Sequence, residues 1–115
     1  MKERIIQLVH FLMTSPQFTS VVGERLFPLI ADEGVKGIYA IYVIGSVPVS
    51  KDGGREYNAG LQVYFPQNKF TEMVEFGDTL TDLLNSKSEY DVGPVDMDYS
   101  DRAKSPYMTL PFNID

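Results

Sequence analysis

Apolar residues near the amino terminus recur at helical spacing. Ile5, Ile6, Leu8, Val9, Leu12 and Met13 fall on one side at about 100° per residue, with Glu3, Gln7 and His10 opposite, which predicts a first amphipathic helix. Thr14-Ser15-Pro16 ends it, because the residue before a proline is pushed out of the helical region. Ser15 is placed to cap a second short turn with Pro16 at its first position. Phe18, Val21 and Val22 then tuck under the first helix until Gly23 stops the turn. Arg25-Leu26-Phe27-Pro28-Leu29 reads as a short edge segment, since Pro28 cannot donate into a sheet ladder and would face outward.

The pattern then changes period. Tyr39-Ala40-Ile41-Tyr42-Val43-Ile44 is β-branched, aromatic or apolar throughout, so it reads as a strand, and being apolar on both sides it is expected to be central, with its second face covered, by another subunit for example. From Tyr57 to Phe65 the alternation is clean. Tyr57, Ala59, Leu61, Val63 and Phe65 point one way and Asn58, Gly60, Gln62 and Tyr64 the other, which describes a half-buried antiparallel strand. Between the two strands, Gly45 to Glu56 contains Pro48 and the polar tip Lys51-Asp52-Gly53-Gly54-Arg55, the turn chemistry of a long hairpin.

From Asn68 onward Phe70, Met73, Val74, Gly77, Leu80 and Leu84 form a stripe at helical spacing, flanked by Phe76 and Leu83, with Glu72, Glu75, Thr79 and Asp82 facing out. Asn85 and Ser86 close this second long helix. Gly77 within the stripe costs about 1 kcal/mol relative to alanine, and a close approach to the sheet is the expected compensation. Beyond Tyr90 the period returns to two. Val95, Met97 and Tyr99 alternate with Pro94, Asp96 and Asp98, and Met108, Leu110, Phe112 and Ile114 alternate with Tyr107, Thr109, Pro111 and Asn113. The polar stretch from Asp101 to Pro106 joins these strands as a hairpin. Pro111 either makes its strand an edge or puts its missing N–H on an unpaired side. Together these elements predict one α+β domain over residues 1–115. Its sheet is mostly antiparallel, of four to five strands, with two main helices on one face and a long β-hairpin between the second and third strand segments.

Composition narrows the chemistry. With 115 residues, 43% of them apolar, the chain can bury about two thirds of its unfolded surface in a single two-layer core. No cysteine is present, which excludes a disulfide scaffold, a thiol nucleophile and Cys-ligated metal. The longest apolar run, Ile38 to Ile44, is far shorter than the roughly 20 residues of a membrane helix. Lys2 and Arg4 precede an apolar stretch, but Gln7 and His10 interrupt it, so a soluble protein without a signal peptide is expected. The net charge of −6 is uneven: residues 1–70 balance at +1 and residues 71–115 at −7. Such an acidic half repels phosphate backbones, and tight nucleic-acid binding is not expected.

Enzyme readings each lack parts. The single histidine, His10, lies on the polar side of a helix, and no glycine-flanked serine elbow is present. Gly53-Gly54 is a turn tip, because no phosphate-binding glycine spacing follows a strand and opens a helix. Asp96-x-Asp98-x-Ser100 opens like a calcium loop, yet Asp101 stands where the glycine and Tyr107 where the bidentate glutamate belong. In a strand those side chains form a row on one face, either simply solvated or lining a channel or a basic partner. No catalytic, cofactor or metal site is expected.

The order of segments resembles the tail-terminator (tail-completion) family of long-tailed bacteriophages and prophages. The resemblance runs over nearly the whole chain. It rests on the N-terminal helix, Val22-Gly23-Glu24-Arg25-Leu26-Phe27-Pro28, the strand from Tyr39 to Ile44, the polar hairpin into Leu61-Gln62-Val63-Tyr64-Phe65, and the helix ending Leu83-Leu84-Asn85. Gly37-Ile38-Tyr39 replaces the apolar-Pro step that usually leads into the second strand of the family. The resemblance implies a non-enzymatic virion protein. It would assemble in the host cytoplasm as a ring, in family terms a hexamer, on the tail tube protein, end tube polymerisation, offer a surface to a head-completion or connector protein, and let DNA pass. The ring interface is then expected at Tyr39, Tyr42, Val47, Val49, Lys51, Arg55, Tyr57 and Tyr64, and the acidic lumen at Asp96 and Asp98, with Glu72 and Glu75 as rivals. A head-to-tail adaptor in the neck and a small ligand-binding or regulatory domain are the alternative readings.

Overall fold

A computed structural model of the chain describes residues 2–29, 31, 35–48 and 55–114, with the backbone alone at 46–48, 55 and 56. The helices are α1 (Lys2–Met13), α2 (Pro16–Val22) and α3 (Phe70–Asn85), the last preceded by a 3-10 turn at Gln67–Lys69. The strands are β1 (Leu26–Pro28), β2 (Tyr39–Pro48), β3 (Arg55–Tyr64), β4 (Tyr90–Val92), β5 (Asp96–Ser100) and β6 (Ser105–Ile114). The fold is α+β, with a six-stranded sheet in the order β1-β2-β3-β6-β4 and β5 also paired to β6. All pairs are antiparallel except β1 with β2.

Local chemistry sets the helix ends. Ser15 stands at the N-cap of α2 ahead of Pro16, but its hydroxyl makes no cap bond there. It donates instead to the Phe11 carbonyl at 2.6 Å, closing the end of α1, while the Ser15 carbonyl accepts from Phe18 and Thr19. Gly23 ends α2 at φ 64°, a conformation that a Cβ disfavours. Arg25 then ties the start of β1 to the start of β2, its Nε donating to the Ile38 carbonyl at 2.6 Å.

One side of the sheet meets the helices. Leu61 and Val63 of β3 and Met108, Leu110, Phe112 and Ile114 of β6 are buried with Leu8, Leu12, Phe18, Val22, Met73, Phe76, Leu80 and Leu84 in one cluster. Phe76 lies within the buried stripe of α3, while Phe70 and Val74 are 53% and 40% exposed. The apolar stripe is therefore rotated from the one that spacing alone suggests, because Phe76 fits between Phe18 and Phe65. Ile6, expected inward on α1, is 56% exposed.

The sheet differs from expectation in three ways. It has six strands, because β1 joins as a parallel edge and β4 is separate from β5. β2 is not central: β1 covers only Ala40 to Tyr42, and the middle positions go to β3 and β6. Pro111 lies inside β6, which is paired on both sides. The fold accommodates that proline with a bulge, in which Gly93, Pro94 and Val95 stand opposite Leu110 and Pro111. The Pro111 carbonyl accepts from the Gly93 N–H at 2.8 Å, and the missing proline N–H falls where the ladder is already broken. A Cβ on Gly93 would lie 3.2 Å from Pro111 Cγ, so a larger residue would crowd the bulge.

Gly77 faces the sheet, as its place in the stripe predicts. A Cβ there would meet Val95 Cγ1 at 3.4 Å, Met97 Cε at 3.5 Å and Met108 Sδ at 3.6 Å, which is ordinary contact and not a clash. Alanine thus fits where a longer side chain does not. Gly77→Ala is expected to stabilise the protein by about 0.5–1 kcal/mol through helix propensity. The urea midpoint should rise; a fall would mean that α3 sits closer to β5 and β6 than described.

Candidate interaction surface

The second face of the sheet carries no helix among the described residues, and register lays out its side chains in rows. Tyr39, Tyr64, Tyr107 and Asp98 form the first row, Ile41, Gln62, Thr109 and Asp96 the second. Val43, Gly60 and Pro111 follow, then Gly45, Asn58, Asn113 and Asp91. The face therefore grades from apolar at β2, through amides and small residues, to acidic at β4 and β5. The bulge makes the acidic column possible, since a one-residue slip is what brings Asp91, Asp96 and Asp98 to the same side.

The tyrosine row is ordered. Tyr39 and Tyr64 stack with centroids 4.9 Å apart and planes 9° from parallel, and Tyr64 and Tyr107 stack at 4.9 Å and 23°. That spacing matches the separation of neighbouring strands, so the rings stand upright from the sheet like adjacent pages. Burial raises the Tyr39 phenol above its usual pKa. Tyr64 is raised too, by burial first and then by the neighbouring Tyr39 and Tyr107 phenols, each of which opposes a further negative charge. Both shifts keep the Tyr39 and Tyr64 hydroxyls in their neutral, protonated form at physiological pH.

Stacking decides what such a row can bind. A platform for nucleobases or sugar rings must offer an open aromatic face, and here Tyr64 has both faces covered by its neighbours. Tyr39 and Tyr107 are each stacked on one side by Tyr64, and the row as a whole offers ring edges and hydroxyls that suit contact with another protein. Beside it runs a groove of about 1020 Å³, floored by Tyr39, Ile41, Gln62 and Tyr64, with Leu29 and Arg102 among its walls. Neither a family model nor a curated protein sequence matches the chain.

The expected interface residues divide between two faces. Tyr39 and Tyr64 come together on the free face, whereas Tyr42 and Tyr57 lie on the helix side, half-buried against the core. Val47 and Arg55 are in β2 and β3, where only their backbone is described, and Val49 and Lys51 lie outside the described residues. Tyr107 is a member of the row that sequence reasoning missed. Its alternation with Met108 was legible, but its alignment with Tyr64 depends on a pairing between residues far apart in the chain.

The acidic residues are divided as well. Asp96 and Asp98 are exposed on the free face, with Asp98 Oδ1 accepting from the Tyr99 N–H at 2.7 Å. Glu72 and Glu75 are exposed on α3, in the other layer. One surface cannot hold both pairs. His10 is exposed on α1 and lines a separate groove with Arg4, Lys87 and Glu89, where Lys87 Nζ sits 5.2 Å over the Phe11 ring. The Thr14 hydroxyl, just past the end of α1 in the same groove, donates to the His10 carbonyl at 2.7 Å. Among the described residues no three His, Asp or Glu side chains cluster as a metal site would need.

Proposed function

We propose that this chain is a structural protein of a phage or prophage tail, a terminator that assembles as a hexameric ring on the tube, stops its growth and presents the head-joining surface. The observation that supports this most is the helix-free sheet face, with an upright tyrosine row at one end and Val43 of β2, 43% exposed, further along it. A face of this composition is costly to leave in water and is well suited to burial against a neighbouring subunit. Tyr39 and Tyr64, joined by Tyr107, are the ring contacts in this reading. Tyr42 and Tyr57 serve the core beneath them.

The acidic column explains the remaining charge. Asp91, Asp96 and Asp98 stand together at the β4 and β5 side of the face, and in the proposal they line the lumen. Negative charge there repels phosphates, so DNA crosses the ring without adhering. Glu72 and Glu75 then face the outside, on α3. The tail tube protein on one side and a head-completion protein on the other are the partners, and no catalysis is involved.

The test is tail length by electron microscopy in lysates of the parental phage lacking this gene. Overlong, headless tails are expected. Tails of normal length that do not join heads would transfer the role to a neck adaptor, and intact virions would refute both.

A further inference from the structure

The outer edge of β2 is only partly covered. β1 pairs with Ala40 to Tyr42, and the last bond runs from the Leu29 N–H to the Tyr42 carbonyl. From Val43 to Pro48, β2 pairs with β3 on one side and with no strand on the other among the described residues. The Ala40 N–H and the Tyr42 carbonyl both point to this edge. The period of two along a strand therefore turns the N–H and C=O of Ile44 and Ser46 the same way. Pro48 has no N–H to add.

We propose that two copies of the chain pair antiparallel along this edge, about a two-fold axis through Gly45, joining their sheets into one. Hydrogen bonding points to a second copy as the occupant. With Gly45 facing its counterpart, Ile44 of each copy stands opposite Ser46 of the other, and these two residues exchange N–H···O=C bonds in both halves of the contact. The N–H and C=O of both Ile44 and Ser46 are used. The pairing also ends where it must, because the next pair on each side would be Tyr42 with Pro48, one with its carbonyl already bonded to Leu29 and the other without an N–H.

Sequence and charge agree with this. Val43-Ile44-Gly45-Ser46-Val47 is nearly palindromic about Gly45, so the two-fold places valine opposite valine. The segment carries no charge, in a chain whose net charge is −6. The opposite edge of the sheet, by contrast, holds Asp91, Asp96 and Asp98 and is broken at Pro94, features that keep an edge from pairing. At the axis the two backbones come closest, in a pair without hydrogen bonds, and glycine leaves that approach free. The pair also covers Val43, which is 43% exposed in the single chain. This contact is isologous, whereas a ring needs heterologous ones, so the inference does not rest on the tail reading.

Sedimentation of the wild-type protein, Gly45→Lys and Gly45→Glu over a range of concentrations tests it. A Cβ at position 45 meets nothing within 4 Å, so both variants are expected to fold, with thermal unfolding as the check. The wild type should dimerise reversibly. Each variant alone should self-associate at least about tenfold more weakly, since like charges directly opposite on paired strands repel. Mixing the two variants should restore a dimer. Hydrogen exchange at the Ile44 and Ser46 amides should slow as the wild-type dimer forms. A wild type that stays monomeric at millimolar concentration, variants that dimerise as it does, or a dimer with unprotected Ile44 and Ser46 amides would each overturn the proposal. Tail length in the gene-deleted phage is unaffected by any of these results, so the two readings fail separately.

Discussion

Phe76→Ala is expected to destabilise the protein by about 3–5 kcal/mol, a large part of the roughly 5–15 kcal/mol that holds a domain of this size together. The Phe76 ring lies 6.2 Å from Phe18 of α2 and 5.9 Å, edge-on, from Phe65 at the end of β3, so it joins three parts of the core. Its removal leaves a cavity where α2, α3 and the end of β3 meet, beside the buried Phe18. Phe70→Ala in the same helix is the control. Phe70 is 53% exposed, and its loss should cost well under about 1 kcal/mol. Urea unfolding of the two variants separates them: equal midpoints, or a lower one for Phe70→Ala, would show that α3 is rotated from the orientation described.

The second large effect is at the centre of the tyrosine row. Tyr64→Ala removes two stacked contacts, each worth about 0.5–1.5 kcal/mol, and a loss of about 1–3 kcal/mol is expected. Tyr64→Phe keeps both stacks and loses only a hydroxyl whose bond to Gln62 Oε1 is long, at 3.4 Å, so it should be close to neutral.

The phenylalanine variant has a distinct signature at high pH. Burial raises the Tyr64 phenol in the folded protein above its ordinary value of 10.0, so the folded state holds its proton more tightly than the unfolded state does. The stabilisation from that group is fully present below about pH 10 and is lost as pH rises through the folded value. Tyr39 contributes in the same direction. Stability of the wild type, measured by urea unfolding from pH 8 to 11, should therefore fall at the alkaline end, and Tyr64→Phe should fall less. A variant with the same alkaline slope as the wild type would refute a buried phenol at this position.

Much of the local structure was legible because it rests on period and punctuation. Pro16 and Gly23 bracket α2 in the sequence as they do in the structure, one by its fixed φ and the other by a φ of 64°. The alternation from Tyr57 to Phe65 sorted the two faces of β3 correctly, since a strand has only two sides. For α3 the period was right and most of the stripe with it, since Met73, Gly77, Leu80 and Leu84 are buried as expected, but its edge is shifted from Phe70 and Val74 to Phe76. Stripes centred on Val74 or on Phe76 are about equally apolar, and neighbours from α2 and β3, invisible to a local pattern, chose between them.

The sequence by itself determined the helices, the alternating strands, the position of Gly77 against the sheet and the concentration of acid in the second half of the chain. Each depends on residues a few positions apart, whose geometry the backbone fixes. Tertiary structure alone decided that β3 and β6 would be central, that a bulge opposite Pro111 would bring Asp91 to the side of Asp96 and Asp98, and that Tyr39, Tyr64 and Tyr107 would stack. Those outcomes depend on strand order and register, which are set by how the whole core packs and not by any one segment of it.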